Sequence, residues 1–254
     1  MMRDATLSTA QWRYLAQAFR LKPDDAADSR SILAADLLDP LRCREVLQQI
    51  MPAIGAPDLA ISASLWVKRL AFLISGNSLY AMTVFDRALP LNLHNTWLEY
   101  AHDNGLWSAA LPVAHLQLSQ YAPGERERWR AEQVRLLFAG LFAPLVRILA
   151  ETSGIPRQIL WENIAVRVFS LYEGRMDDLE PAAEQRRLAD FRWLLEDAPP
   201  ELFGESYNPL QRFRRPPHRL KDGSGYRRFR RTCCFYYKAS QPVEYCQNCP
   251  LLRC

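Results

Sequence analysis

Cysteine is almost missing from the first 232 residues of this 254-residue chain, where Cys43 stands alone. Glycine (10) and histidine (4) are sparse as well. No glycine-rich phosphate loop and no flavin or nicotinamide fingerprint is present. Redox work by this chain therefore calls for electrons from a separate donor. His94, His102, His115 and His218 are scattered. His102, beside Asp103 at a turn, reads as an exposed residue. His115 reads as structural, with a place in a substrate cleft as the alternative. The N-terminus lacks a basic start followed by an apolar run, and Asp4 comes early, so no secretory signal is expected. The most apolar stretch, Leu70 to Phe85, is short and contains Asn77, so no membrane span is expected either. These absences point to a soluble cytoplasmic protein. There thiols stay reduced, and clustered cysteines serve metal or redox chemistry more than disulfides.

Apolar residues make up 49% of the chain and charged residues 24%, an ordinary globular balance that supplies a core without metals or staples. The net charge of +4 hides an asymmetry. From Arg212 to Arg231 nine arginines and lysines face Asp222 alone, a local excess of +8 that leaves the remainder at −4. Such a strip suits nucleic acid, a solubilising arm, or an anionic centre nearby.

The first two thirds read mostly as helix. Ser8 and Thr9 cap a segment with Trp12, Leu15 and Phe19 on one face. Asp39-Pro40 opens a second helix toward Pro52. Asp58 opens a third that runs to about Ser75, where Gly76-Asn77 is expected to interrupt it. Asn104-Gly105 lies between two strand-like runs and marks a hairpin. In that register Thr96, Leu98 and Tyr100 share one face, Trp97, Glu99 and Ala101 the other, and Pro112 ends the second run. Trp97, Trp107 and Tyr100 are expected to pack the hairpin on the helices rather than wall a ligand. Val134, Leu137, Leu141 and Leu145 mark a helix that Pro144 kinks and Gly154 closes. Further helices run from Pro156 to Gly174 and from about Ala182 to Leu195. From Pro199-Pro200 to Tyr226 the composition reads as a linker or extended arm. Cys43 lies on a helix and is read as a small buried apolar residue.

Five of the six cysteines fall in the last 22 residues, in a C-C-x11-C-x2-C pattern followed by the terminal Cys254. A C-x2-C pair can bend both thiolates onto one metal, in zinc and iron–sulfur sites alike. The adjacent Cys233 and Cys234 are different. Zinc sites usually use two spaced pairs. Neighbours on an extended chain point to opposite sides, so they share one metal only in a turn, or serve two metal atoms. A [2Fe–2S] cluster offers two irons and asks for four thiolates.

The stretch "CCFYYKASQPVEYCQNCP" resembles the C-terminal signature of the FhuF-type siderophore-iron reductases. "NTWLEY", "ILWENIA" and "YNPL" are similar to that family more loosely. The resemblance implies that Cys233, Cys234, Cys246 and Cys249 hold a [2Fe–2S] cluster, which is the redox centre and the only catalytic group. The family's intervening loop is x10, and the extra residue here leaves Cys254 as a substitute ligand. An added residue in a surface loop costs little closure entropy. The implied substrate is a ferric siderophore, reduced by one electron so that iron is released in the cytoplasm. A separate electron donor is implied, with transient association with a siderophore importer and no nucleic acid. Arg227, Arg228, Arg230 and Arg231 then read as counter-charge for an anionic cluster or as attraction for substrate.

The expected fold is α+β, predominantly helical, with a small antiparallel hairpin or sheet and a C-terminal cysteine-rich iron–sulfur segment. Its expected units are a helical reductase domain over 1–205 and a basic arm with the cluster segment over 206–254. Two alternatives stay open: a zinc-stabilised nucleic-acid- or protein-binding protein, and an iron–sulfur carrier or sensor that does not act on siderophores.

Overall fold

A computed structural model describes residues 7–114, 118–220, 223 and 225–252. His115, Lys221, Asp222 and Cys254 lie outside the described residues.

Helix α1 (Thr9–Phe19) starts at Ser8, whose hydroxyl accepts from the Gln11 amide while the Gln11 side chain accepts from the Ser8 amide. It buries Leu15 and Phe19. Asp39 caps α2 (Pro40–Ala53), and Asp58 caps α3 (Leu59–Thr83) through the Ile61 amide. The expected break at Gly76-Asn77 does not occur. Phe19 lies where a Gly76 side chain would be, with its ring carbon 2.3 Å from an added Cβ, so glycine admits α1. Asn77 is buried and donates to the carbonyls of Phe19 and Leu73. Packing has overridden local preference.

Helices α4 (Arg126–Arg135) and α5 (Ala143–Ser153) are joined by a π-helical stretch, Leu136–Phe142. This stretch lies just ahead of Pro144, which has no amide to donate, so the chain meets the proline by widening its turns. Gly154 ends α5 with φ 74°. Then come α6 (Arg157–Gly174) and α7 (Pro181–Glu196). The most extensive helix contact is α3 on α6, and this pair forms the centre of the core. By length and composition, α3 and the Arg126–Ser153 run could each cross a membrane, contrary to the sequence expectation; 72% of the α3 window is buried inside the fold.

Strands β1 (Leu21–Pro23), β2 (Ser31–Leu33), β3 (Trp97–Glu99), β4 (His102–Asp103), β5 (Leu106–Trp107) and β6 (Leu111–Val113) form three short pairs. The Asn104-Gly105 hairpin is present as β4–β5, with φ 52° and 79° at the turn. Three expectations fail around it. Pro112 does not end the second run but lies inside β6, which pairs in parallel with β1. Trp97 and Leu98 pair antiparallel with β2 rather than across the hairpin. Glu99 and Ala101 are as buried as Thr96, Leu98 and Tyr100, so the segment is covered on both faces. Trp66 stands at right angles to Tyr100 and donates to the Glu99 carbonyl, fixing the strand onto α3.

The stretch expected as an extended arm instead carries a 3-10 turn (Pro200–Phe203) and helix α8 (Pro209–Phe213). Phe203, Leu210 and Phe213 are buried in the main core. Proline and arginine dominate the composition there, but three apolar residues suffice to dock it. Beyond α8, β7 (His218–Arg219) and β8 (Tyr226–Arg227) pair and lead to the cysteines.

Candidate metal centre

The segment that carries Cys233 and Cys234 is held by a buried polar strip on α3 and α6. Glu162, 1% exposed, accepts from the amide of Arg231 (2.6 Å) and from the amide and hydroxyl of Thr232 (2.6 and 2.5 Å). Its neighbour Asn163 accepts from the Arg230 guanidinium at 2.6 Å and donates to Ser64. The Ser64 hydroxyl in turn donates to the Cys234 carbonyl at 3.0 Å. Two helices thus grip the backbone on both sides of the pair. Arg230 also donates its amide to the Asn248 carbonyl, tying the two cysteine halves together.

Phe235 adopts φ 61°, a left-handed conformation uncommon for a bulky residue. It turns the chain directly after Cys234, and its amide donates to the Cys233 sulfur at 3.3 Å. A 3-10 turn, Tyr236–Lys238, follows. At the other half the Cys249 amide donates to the Cys246 carbonyl, closing a tight turn between those two thiols.

The four thiols are free. Cys234 and Cys246 lie 3.8 Å apart, sulfur to sulfur, and the charge of Cys249 acts on Cys233. Cys234 and Cys249 are buried, while Cys233 and Cys246 are partly exposed. Among the described residues no three His, Cys, Asp or Glu side chains converge as a metal ion would require. The hydrogen bond from Cys246 pulls the Cys234 thiol down, and the Lys68 ammonium, 3.7 Å away, and Arg230 act in the same direction. The same hydrogen bond pushes Cys246 up, and burial pushes Cys233 up. Nearby cations thus favour thiolate charge within this pair.

Two openings flank this centre. A cleft of about 710 Å³ runs along Lys68, Arg69, Phe72, Trp107, Arg175 and Tyr236. A groove of about 470 Å³ on the other side exposes Cys246 beside Arg228, Arg230 and Asn248. Lys68 and Arg167 line both.

Of the four arginines expected at the centre, only Arg230 stands against the sulfurs. Arg228 pairs with Glu173 at 2.6 Å and donates to the Arg215 carbonyl. Arg227 lies in β8, and Arg231 is exposed and contributes its backbone. Lys68, Arg167, Glu162, Asn163 and Ser64 were not singled out by the sequence. Their signal was present for Glu162-Asn163, a polar pair inside an apolar helical run. His102 is half-buried, packs edge-on to Trp107 at 5.1 Å, and lines the cleft rather than standing free; burial lowers its pKa. Tyr100 packs inward and donates to the Ser29 carbonyl. Cys43 is fully buried, as expected.

Among protein families, a model described as ferric iron reductase FhuF-like transporter matches residues 64–223, more than half of the chain. A second, described as FhuF 2Fe-2S C-terminal domain, matches residues 230–251, a span that contains the four thiols and stops short of Cys254. No curated protein matches the chain.

Proposed function

Because the chain belongs to the FhuF-like ferric iron reductase family, we propose that it frees iron from a ferric siderophore by one-electron reduction in the cytoplasm. Cys233, Cys234, Cys246 and Cys249 are the residues we assign to a [2Fe–2S] cluster. The observation that carries this reading is the close approach of Cys234 and Cys246 from the two halves of the cysteine segment, beside a cation-lined cleft and groove. The adjacent Cys233 and Cys234 suit two irons better than one zinc, whose sites usually use two spaced pairs. When bound, such a cluster supplies electrons one at a time.

The chain's own groups then have definite tasks. Lys68 and Arg230 offset thiolate charge that burial alone would make costly. Glu162, Asn163 and Ser64 fix the backbone, so the sulfurs are presented without rearrangement. The cleft brings a chelate to this centre without any base or nucleophile. Ferric iron binds oxygen chelators strongly and ferrous iron far more weakly, so a single electron is enough to release the ion. Residues 206–254 serve as the redox unit and the rest as the platform that seats substrate. A separate protein or cofactor is the donor, since the sequence carries no nucleotide fingerprint.

The test is an optical and EPR spectrum of the purified protein with each late cysteine changed to serine. The expected result is loss of the cluster signal at Cys233, Cys234, Cys246 and Cys249 and its retention in C254S. Reduced protein mixed anaerobically with ferric siderophores should be reoxidised. A colourless protein holding one zinc, made with an intact cluster-assembly system, would refute the reading.

A further inference from the structure

Several part-buried arginines elsewhere in this fold pair with acids. Asp190 takes Arg126 and Arg130, and Glu173 takes Arg214 and Arg228. The cleft instead gathers two part-buried arginines, Arg69 and Arg167, and the exposed Arg175. The guanidinium carbons of Arg69, Arg167 and Arg175 lie 5.3, 5.9 and 5.1 Å from the centroid of the single Phe72 ring. Among the described residues none of the three, nor Lys68, has a carboxylate within ion-pair distance. The nearby acids act from further off: Glu99 attracts Arg69 from beyond ion-pair distance while accepting from the Ala110 amide at 2.5 Å, and Glu244 accepts from the Tyr236 hydroxyl at 3.3 Å.

The face of Phe72 holds these cations by its negative quadrupole, an attraction of about 0.5–2 kcal/mol each. That does not cancel their mutual repulsion. Arg69 shows the conflict: burial, with Arg20 and Arg167 nearby, lowers its pKa to about 10, and although it donates to the Ala109 carbonyl at 2.5 Å, its Nε is buried without a hydrogen-bond partner. Arg167 is shared. It lines the cleft with Arg175 and also the groove that exposes Cys246. Thiolate charge therefore accounts for Lys68, Arg167 and Arg230, but not for Arg69 and Arg175.

We propose that the Phe72-centred arginines form an anion subsite, and that the ferric chelate this protein prefers carries net negative charge. The proposal rests on the reductase reading and narrows its substrate class. Three hydroxamates cancel the triple charge of ferric iron and give an uncharged complex. Catecholate or citrate-type oxygen donors leave the complex negative. The cleft's volume suits a ligand of several hundred Å³. Guanidiniums suit such ligands because their planar forks grip paired oxygens.

Gallium(III) complexes test this without electron transfer, since gallium matches ferric charge and is not reduced. The purified protein, with its cluster, is titrated by calorimetry with gallium tris-catecholate, gallium citrate and an uncharged gallium trihydroxamate. At least one anionic complex should bind tenfold or more tighter than the uncharged one. That preference should shrink as salt rises from about 50 to about 500 mM. Arg175→Gln, at an exposed position, should weaken anionic binding by about tenfold or more and leave the trihydroxamate unchanged. Glu244→Gln, which removes a carboxylate from the cleft wall, should tighten anionic binding. Equal or tighter binding of the uncharged complex in wild-type protein overturns the proposal, as does equal weakening of all three in Arg175→Gln. The two readings fail separately. A protein that binds anionic gallium complexes but cannot reduce their ferric counterparts refutes the reductase. One that reduces only uncharged chelates refutes the anion subsite.

Discussion

Glu162→Gln is the sharpest probe of how the cysteine segment is held. The carboxylate accepts three hydrogen bonds, two of them from backbone amides, at a position 1% exposed. A glutamine can accept on one side only. Its NH2 then faces the amide of Arg231 or of Thr232, leaving a buried donor unmet at a cost of about 1–3 kcal/mol. The substitution also removes the negative partner 3.9 Å from the Arg230 guanidinium, which is itself only 4% exposed. Breaking a buried pair on one side costs about 3–5 kcal/mol in total. The apolar face of α6, with Leu160, Ile164 and Val168, is untouched, so the loss should fall on the attached segment. Hydrogen exchange of peptides covering 229–252 should accelerate by about two to three orders of magnitude, at 1.4 kcal/mol per decade. Peptides from α3 and α6 should keep their protection. Under the proposed function the visible spectrum would fade in parallel. Wild-type protection over 229–252 would refute the anchoring role, and uniform acceleration along the chain would show that Glu162 supports the whole core instead.

Two further substitutions test the core that carries the site. Asp190 is fully buried and accepts from Arg126, Arg130 and Thr83; Asp190→Ala strands the Arg130 guanidinium, leaves Arg126 only Asp86, and should cost about 3–5 kcal/mol, lowering Tm by roughly 10 °C, whereas a fall under about 3 °C in a thermal melt would show the network to be dispensable. Gly76→Ala gains up to about 1 kcal/mol of helix propensity but drives a methyl into Phe19, so net destabilisation of about 1–3 kcal/mol is expected in urea unfolding, and a stabilised variant would refute the packing argument.

Local rules made part of this molecule legible and long-range contacts made the rest. Ser8, Asp39 and Asp58 were readable as helix starts because a cap is a bond within four residues. Asn104-Gly105 was readable because its turn is a property of two backbones. Gly76-Asn77 was misleading because its helix is completed by Phe19, 57 residues earlier. The β1–β6 pair was invisible because parallel pairing carries no turn to announce it. The candidate site divides in the same way. The sulfurs sit together in sequence, while of the four cations chosen by sequence proximity only Arg230 stands beside them. Arg230 turns inward to Asn163 and lies beside Cys234; Arg231, the next residue, is exposed and meets Glu162 only through its amide. An extended backbone sends adjacent side chains to opposite sides, so half of any charged run beside a pocket must miss it. Lys68 and Arg167 reach the sulfurs because α3 and α6 pack together under the segment. Counter-charge at this centre is therefore a property of the helical platform, and changes to Lys68 or Arg167 should perturb the cysteines more than changes to Arg227 or Arg231, which lie closer in sequence.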